Sequence, residues 1–353
     1  MESPLMVKTS EVADREGVLS AARLHGIVRS SWISQAVCVA AELRIADLLA
    51  DGPKDVAQLA RSTECEAPSL RRLMRALVSL DLCAELDDGA FALRPTGSLL
   101  RANAPDSLRS WTIWWGRHLW PVWGNLRHSV QTGERNRTES PHETAGDVFL
   151  GRDAGAAAVF NQAMVELTRL VSTEVIRAYD FSGMKRIVDV GGGHGELLAA
   201  ILRAHTKMRG VLFDLPHAIE GARVQREAGL VDRLELVAGS FFDSVPGGGD
   251  AYLMKSVLHD WPDEQSAVIL RNCRQVMPEH ASLLIVERIM AARMRPSPEH
   301  QVMAWSDLNM LVVLGGRERT EAEFRGLLAS SGFEVAGILP TALGFSVIEA
   351  LPC

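Results

Sequence analysis

Three side chains that can exchange protons or stack on a ligand stand together at the end of an apolar segment. The segment AYLMKSVL, residues 251–258, leads directly into His259, Asp260 and Trp261, and Pro262 then opens a new segment. Such residues often only mark a strand-to-helix turn. A histidine, with an ordinary pKa of about 6.5, also suits a general base at neutral pH. Two hypotheses therefore arise: a structural turn, or a catalytic base beside a ligand pocket.

A glycine loop earlier in the chain indicates a second part of such a pocket. The stretch IVDVGGGHGELLAAIL, residues 187–202, predicts a strand, a loop with Gly191, Gly193 and Gly195, and a helix. The dinucleotide pattern G-x-G-x-x-G fails, because Glu196 occupies its third position. Asp189, just before the loop, would repel a pyrophosphate but suits a cationic amino group. The loop therefore favours a cofactor without phosphates.

A carboxylate after the next strand narrows the choice of cofactor. Asp214 ends the predicted strand RGVLFDL, where a carboxylate can accept both hydroxyls of a ribose. The strand after it ends in AGSFFDSVP, residues 238–246. S-adenosylmethionine has a ribose, an adenine, an ammonium and a sulfonium but no phosphate, so it fits this set. The alternative is that the glycines only form tight turns for helix–sheet packing.

Composition excludes several classes of function. A chain of 353 residues with 47% hydrophobic residues can bury a sizeable core, and a net charge of -7 disfavours binding to nucleic acid or to an anionic membrane. The five scattered cysteines have no metal-binding spacing and fit a reducing cytoplasm. We see neither a signal peptide nor an apolar run of membrane-spanning length. We therefore expect a cytoplasmic enzyme with no bound metal.

The elements that must position these residues form an α/β domain over residues 181–353. Strands alternate with helices, and we predict seven strands: RIVDV, RGVLFDL, RLELVAG, AYLMKSVL, SLLIVER, EVAGILP and FSVIEAL. This rhythm is typical of a doubly wound Rossmann-like sheet, whose ligands bind beyond the carboxyl ends of the parallel strands. His259, Asp214 and the glycine loop would all lie at that edge.

Residues 1–105 predict a separate helical domain with a winged-helix pattern. Two short helices are followed by two short strands around Asp88 and Gly89. DNA binding would use three basic side chains, Arg71, Arg72 and Arg75. The alternative is a dimerisation module, and it is favoured by the acidic residues of the would-be wing, Glu85, Asp87 and Asp88.

Residues 106–180 predict a helical connector that lines a substrate pocket. Five of the eight tryptophans lie in WTIWWGRHLWPVW, residues 111–123, a polar linker follows at residues 131–146, and residues 156–179 form an amphipathic helix. Dense aromatic residues suit a flat aromatic ligand, although each is equally compatible with an ordinary core position. The candidate substrate-binding residues are Trp114, His118, Phe160, Asn161, Met164, Trp305, Asn309 and Met310.

Taken together, these motifs resemble the S-adenosylmethionine-dependent O-methyltransferases that include plant caffeate and flavonoid enzymes and bacterial enzymes tailoring aromatic polyketides and phenazines. The resemblance covers nearly the whole chain. It rests on AAELRIADLL near the N-terminus and on VDVGGGHG, LFDLP, SFFDSVP, LMKSVLHDWPDEQ, LLIVE and GGRERTEAEF. It implies a mixed seven-stranded catalytic sheet, an N-terminal dimerisation domain and a homodimer.

The resemblance also implies roles for single residues. His259 would be the general base, flanked by Glu287 and Glu318, with Asp260 helping to bind cofactor and place the substrate. Carried over as cofactor-binding residues are Gly191, Asp214, Phe241, Lys255 and Trp261, the last as a platform for adenine. The residue patterns add Asp189, Gly193, Gly195, Leu215 and Ser240. Ser240 stands where the family usually has an aspartate, so its contact to adenine would lack charge.

Three other functions compete with aromatic O-methylation. A relative could bind S-adenosylmethionine without methyl transfer, although the His-Glu-Glu set argues against it. A metal-dependent catechol methyltransferase would need a cluster of oxygen ligands that the sequence does not indicate. A winged-helix regulator would bind DNA with a steep dependence on salt. The acceptor stays open between a hydroxyl of a small aromatic molecule, which we favour, and a nitrogen, a phenazine-like ring or a carboxylate.

Overall fold

The computed structural model describes residues 4–135, 154–226, 230–341 and 343–353, with side chains omitted over 4–18, 154 and 223–226. Most of the predicted linker at residues 131–146 lies outside the described residues. The chain forms two compact units, Met1–Leu119 and Trp120–Cys353. Among the described residues, no helix is both long and apolar enough to cross a bilayer.

The first unit contains helices and one small sheet. Its elements are α1 (Pro4–Glu42), α2 (Ile45–Leu48), α3 (Val56–Thr63), α4 (Ala67–Ser79), β1 (Cys83–Glu85), β2 (Phe91–Leu93), α5 (Pro95–Ser98), α6 (Arg109–Ile113) and a π-helix (Trp114–His118). Asp55 begins α3 with a capping box, in which its side chain accepts from the amide of Gln58 and the Gln58 side chain accepts from the amide of Asp55. This reciprocal cap explains why the helix begins there.

The predicted winged-helix pattern is present in the first unit. Strands β1 and β2 pair antiparallel after α3 and α4, and the turn between them contains Gly89 at φ 80. Glu85 of β1 forms ion pairs with Arg71 at 3.2 Å and with Arg75 at 3.3 Å. Two of the three basic side chains considered for DNA contact are thus paired with an acidic residue of the wing, which disfavours the DNA-binding alternative.

The second unit is built around a seven-stranded mixed sheet. Its elements are α7 (Leu119–Trp123), α8 (Leu126–Thr132), α9 (Ala154–Ala178), β3 (Arg186–Val190), α10 (Glu196–Ala204), β4 (Arg209–Asp214), α11 (Pro216–Arg226), β5 (Leu234–Ala238), β6 (Ala251–Lys255), α12 (Asp263–Val276), β7 (Ser282–Glu287), β8 (Ile289–Met290), α13 (Pro298–Asn309), a π-helix (Met310–Leu314), β9 (Arg319–Thr320), α14 (Glu321–Ala329), β10 (Phe333–Pro340) and β11 (Ser346–Pro352). The strand order is β10-β11-β7-β6-β3-β4-β5.

All seven predicted strands lie in this sheet, and the doubly wound prediction is confirmed. Strands β7, β6, β3, β4 and β5 run parallel, whereas β10 and β11 pair antiparallel at one edge. Neighbouring residues of β7 pack on opposite faces: Ile285 joins a core with α12 and α14, and Val286 joins a core with α9, α10 and α11. Helices therefore cover both faces, as a parallel sheet requires.

One strand is shorter than predicted. The segment 251–258 pairs only as far as Lys255, because Ser256 has φ 55 and turns the backbone out of the strand conformation. The chain then enters a short 3₁₀ turn, Leu258–Asp260. This early end lifts His259 out of the sheet and over its carboxyl edge.

Candidate active site

The turn that carries His259 is anchored by the carboxylate ending the neighbouring strand. β6 and β7 are parallel neighbours, with Lys255 opposite Val286, so Glu287 stands beside the turn. Its Oε1 accepts three consecutive backbone amides, from Val257 at 3.0 Å, from Leu258 at 3.0 Å and from His259 at 3.3 Å. Charge-assisted bonds of this kind are the strong ones. Glu287 therefore fixes the backbone from which the imidazole projects.

The four predicted catalytic residues come together around the imidazole. Nδ1 of His259 lies 3.1 Å from Oε1 of Glu318 and 3.3 Å from Oε2 of Glu287, and Nε2 lies 3.3 Å from Oδ1 of Asp260. His259, Glu287 and Glu318 are all buried. Only the Glu318 contact has hydrogen-bond geometry, so Nδ1 carries the proton of the neutral ring and Nε2 keeps its lone pair.

These surroundings shift the pKa of every member of the cluster. Burial by itself lowers the pKa of His259, but the charges of Glu287, Asp260 and Glu318 together outweigh it and raise that pKa to about 10. Burial raises the pKa of Asp260 to about 7 and also raises the pKa of Glu287. Burial acts on Glu318 in the same sense, yet hydrogen bonds from His259 and Ser306 bring its pKa below the ordinary value. The imidazolium is therefore stabilised by Glu318.

The last turn of α13 holds Glu318 in place. Ser306 Oγ donates to Oε1 of Glu318 at 2.6 Å, and the amide of Glu318 donates to Oδ1 of Asp307 at 2.9 Å. Gly316 lies so close to the turn that a Cβ there would come within 2.0 Å of the carbonyl oxygen of His259. Sequence reasoning missed Ser306 and Asp307, since nothing in their spacing to Glu318 indicates contact.

A fully buried arginine fixes the other side of the turn. Arg319 donates to the carbonyl oxygens of Leu258 and Trp261, both at 2.8 Å, and to Oγ of Ser266 at 3.1 Å. Its Nε also donates to Oδ1 of Asp263 at 2.9 Å. Sequence reasoning missed this residue as well, although its place next to Glu318 in GGRERT is a usable signal. It is a positioning residue for the segment that holds His259.

The glycine loop has the backbone conformation that its sequence requires. Gly191, Gly193 and Gly195 have φ values of 72, 58 and 80, a region that side chains with a Cβ rarely adopt. The amide of Gly193 donates to Oδ2 of Asp214 at 2.7 Å, and the amide of Leu215 donates to Oδ1 at 2.6 Å. A carboxylate has about four lone-pair positions, so two remain for ribose hydroxyls.

The other candidate cofactor residues surround this loop. Phe241 and Trp261 meet edge to face with ring centroids 6.2 Å apart. A Cβ on Gly191 would approach Phe241 to 3.4 Å, which links the loop to the same aromatic pair. Oγ of Ser240 accepts from the amide of Phe242 at 3.2 Å and can still donate its own proton. A purine bound beside the glycine loop could therefore pack against Phe241 and Trp261 and accept a hydrogen bond from the hydroxyl of Ser240.

A buried carboxylate and a half-buried ammonium group, those of Asp189 and Lys255, complete the cofactor candidates. Burial raises the pKa of Asp189 to about 7 and lowers the pKa of Lys255 to about 8. Nζ of Lys255 donates to Oγ of Ser256 at 3.3 Å. Asp189 carries no ion pair with a described residue, so its carboxylate is available to an incoming cation such as an ammonium. The roles of the ten candidate residues in cofactor binding stay predictions.

The candidate substrate residues are distributed over both units. Trp114 and His118 belong to the first unit and stack with ring centroids 5.3 Å apart. Phe160, Asn161 and Met164 lie on α9, Trp305 and Asn309 lie on α13, and Met310 begins the π-helix after it. Asn309 accepts a hydrogen bond from Nε1 of Trp123 at 3.0 Å. Their shared role in one pocket stays a prediction.

The side chains around His259 also have a spacing that is compatible with a metal site. One ligand atom each from His259, Glu287 and Glu318 can be chosen so that all lie within 4.8 Å of one another. Oε1 of Glu287 accepts three amides, whereas Oε2 of Glu287 and Oε2 of Glu318 have no hydrogen-bond partner among the described residues. The expectation of metal-independent chemistry stays a prediction, and a chelator can test it.

Comparisons with known proteins identify the family. An O-methyltransferase domain matches residues 123–334, and an O-methyltransferase dimerisation domain matches residues 26–103. The chain is similar to the phenazine O-methyltransferase PhzM of Lysobacter antibioticus, with 43% identity over 92% of this chain and 94% of that protein. The solved structure of LaPhzM superposes with a TM-score of 0.88 and 42% identity, covering 94% of this chain and 99% of the other.

A further structure shows a relative with both of its ligands. NcsB1, an O-methyltransferase from neocarzinostatin biosynthesis, was solved in complex with S-adenosylmethionine and 2-hydroxy-5-methyl naphthoic acid. Its TM-score is 0.75 at 31% identity, over 91% of this chain and 96% of that chain. The protein belongs to the family of S-adenosylmethionine-dependent O-methyltransferases with an N-terminal dimerisation domain. The predicted fold, enzyme class and cofactor are confirmed.

Proposed function

We propose that this enzyme transfers a methyl group to a hydroxyl of a small aromatic natural product, with His259 as the general base. The observation that carries the proposal is the hydrogen bond of 3.1 Å between Nδ1 of His259 and Glu318, which leaves Nε2 as the nitrogen that can take a proton. A carboxylate on one ring nitrogen fixes the tautomer and stabilises the imidazolium that forms. Glu287 supports the same state from the backbone side.

The pKa of the base matches the acid it would deprotonate. A phenol has a pKa of about 10, and His259 is raised to about 10 by its three carboxylates. Positive charge placed in the same site lowers the pKa of an imidazole, so binding of a cationic methyl donor favours the neutral ring that a base requires. Asp260 shares this environment and would orient the acceptor hydroxyl.

S-adenosylmethionine supplies a methyl group that is already activated for in-line displacement. The residues of this chain therefore have to hold the donor, align the acceptor and remove one proton. In the proposal, Asp214 binds the ribose hydroxyls, Trp261 and Phe241 cover the adenine, and Ser240 donates to it. Asp189 meets the ammonium group across the glycine loop. The proposed cofactor site is completed by Gly191, Gly193, Gly195, Leu215 and Lys255.

The aromatic nature of the acceptor is supported by the relatives and by the tryptophan-rich connector. The relatives reported above act on a phenazine or bind a naphthoic acid. We propose that the acceptor contacts residues of the second unit, namely Phe160, Asn161, Met164, Trp305, Asn309 and Met310. A nitrogen acceptor and non-methylating chemistry remain the alternatives, and product analysis separates all three.

We further propose that the enzyme is a homodimer. Helix α1 exposes apolar side chains at four-residue spacing, at Leu24, Val28 and Trp32, which places them on one helix face. Such a stripe on a monomer marks an interaction surface. The match of a dimerisation domain over residues 26–103 supports a second copy of this chain as the partner.

The test combines binding with product analysis. Calorimetric titration with S-adenosylmethionine and S-adenosylhomocysteine should show binding of both, and mass spectrometry of phenolic acceptors should show the gain of one methyl. Turnover should persist in EDTA, because the base is a side chain. Binding without any methylated product would favour a non-methylating relative, and turnover lost in EDTA and restored by a divalent ion would contradict the metal-independent mechanism.

A further inference from the structure

Two cations at the carboxyl ends of neighbouring strands share one aromatic ring. Arg288 directly follows β7, and its Cζ lies 4.0 Å from the centroid of the Phe345 ring. Nζ of Lys255, the last residue of β6, lies 5.9 Å from the same centroid. Two positive charges therefore stand at the edge of the sheet that also carries Glu287 and His259.

Neither cation has an ion pair within the part of the chain that the structure describes. Nε of Arg288 is enclosed without a hydrogen-bond partner, and Nζ of Lys255 donates to the neutral Oγ of Ser256. Burial lowers the pKa of both side chains, and the charge of Glu287 acts on both in the opposite sense. Both side chains are half-buried, and charged groups taken out of water are normally paired, because leaving such a charge unpaired costs free energy. The missing partner points to an anionic ligand.

The side of the sheet on which the pair lies is the side of the glycine loop and α9. Phe345 belongs to the core formed with α9 and α10, and Arg288 stacks on that ring. Asp189 faces the same side, since it lies two residues after Ile187 of this core in β3. Asp189 also stabilises the charge of Lys255 electrostatically. The cations thus flank the region where methyl donor and acceptor have to meet.

From this arrangement we infer that Arg288, together with Lys255, binds a carboxylate of a bound reactant. A guanidinium offers a planar fork that matches two carboxylate oxygens, and stacking on Phe345 holds that fork in one plane. Part of Arg288 stays accessible, so a ligand can reach it. The inference rests on the proposed function, because its two sources of a carboxylate are the methionine part of the methyl donor and an acid group on the aromatic acceptor.

The first arm of the test concerns the methyl donor. Calorimetry compares S-adenosylmethionine with its decarboxylated form, S-adenosylmethioninamine, in the wild type and in Arg288→Gln. If Arg288 binds the donor, the wild type prefers the carboxylated form, and the variant loses about tenfold to a hundredfold of that preference. Affinity for the decarboxylated form should stay nearly unchanged, which also shows that the variant is folded.

The second arm concerns the acceptor. With S-adenosylhomocysteine bound, the affinities for 3-hydroxy-2-naphthoate and for 2-naphthol are compared in the same two proteins. If Arg288 binds the acceptor, the wild type prefers the naphthoate, and Arg288→Gln loses that preference by about tenfold or more while the preference for the carboxylated donor stays. Arg288→Met, which keeps an apolar stem on Phe345, serves if the glutamine variant does not fold.

Controls separate this inference from general charge effects and from the proposed function. Arg293→Gln removes the same charge from an exposed position nearby and should change neither preference. Carboxylate preferences that are the same in wild type and in the Arg288 variants, for donor and acceptor alike, overturn the inference and leave the proposed function intact. A wild-type protein that does not bind S-adenosylmethionine overturns both.

Discussion

Nδ1 of His259 and Oε1 of Glu318 lie 3.1 Å apart in a buried contact, although the two residues are 59 positions apart in the sequence. The same Oε1 accepts the hydroxyl proton of Ser306 at 2.6 Å, and Oε2 of Glu318 has no described partner. One oxygen thus holds both the base and a neutral donor. The ionisation of Glu318 is therefore set in part by Ser306.

Removing the Ser306 hydroxyl should raise the pKa of Glu318. The hydrogen bond from Ser306 lowers that pKa, so Glu318 becomes easier to protonate in Ser306→Ala. Titration of the glutamate carboxyl groups by carbon-13 NMR should show this shift to higher pH. Ser306→Thr keeps the hydroxyl and should restore the wild-type titration of Glu318. An unchanged titration of Glu318 in Ser306→Ala would remove Ser306 from this role.

The charge of His259 should make donor binding depend on pH. The three carboxylates raise the pKa of His259 to about 10 against the opposing effect of burial, so the ring is positive at neutral pH. It then repels a sulfonium but not the neutral sulfur of S-adenosylhomocysteine. Raising the pH from about 7 to about 9 should improve the affinity for S-adenosylmethionine relative to S-adenosylhomocysteine by about threefold or more.

The two ligands share their amino and carboxyl groups, so titration of those groups cancels in the affinity ratio measured by calorimetry. The matched variant is His259→Gln, in which the ratio should vary much less with pH. A ratio that varies equally in wild type and variant would place the titrating group elsewhere.

Restoring the family's usual carboxylate at position 240 should tighten donor binding. Ser240 follows Gly239 after β5, where its hydroxyl already accepts from the amide of Phe242. An aspartate can accept that amide and the amino group of adenine together, and bonds to a charged acceptor are about twice as strong as neutral ones. Ser240→Asp should lower the Kd of S-adenosylhomocysteine by about tenfold. Equal or weaker binding, with Ser240→Ala unchanged as well, would show that this residue does not contact the cofactor.

Charge on the apolar face of α1 should separate the proposed dimer. Trp32 is 67% exposed in the single chain, and Leu24 and Val28 extend the same face. Trp32→Asp would bury a carboxylate between two copies, which costs free energy without a partner. Light scattering should then report a monomer. Val130→Asp, at a similarly exposed site on α8, is the control and should stay dimeric.

The sequence predicted the parts of the site that lie at strand ends. His259 and Glu287 follow β6 and β7, and parallel neighbouring strands bring their ends together without knowledge of side-chain packing. The glycine loop could be predicted equally well, since only glycine easily adopts the backbone conformation that this loop has. Seven strands followed from the alternation of apolar and polar segments.

Contacts between residues that are distant in the sequence could not be predicted from the sequence. Ser306 reaches Glu318 because the π-helix Met310–Leu314 and Gly315, at φ 79, turn the chain back on itself. Arg319 of β9 donates a hydrogen bond to Asp263 of α12, although the two residues are 56 positions apart. Neither geometry has a local pattern. The residues of the substrate pocket stay a prediction for the same reason, since spacing on a helix identifies a face but not what that face contacts.

The central claim is that His259 is the base for methyl transfer, and one comparison tests it most directly. Methyl transfer from S-adenosylmethionine to a phenolic acceptor is followed by mass spectrometry in wild type and in His259→Ala, with calorimetry of S-adenosylhomocysteine on both. The account predicts that turnover falls by about a hundredfold or more while cofactor affinity stays nearly unchanged. Full turnover in His259→Ala would contradict the assignment of the base.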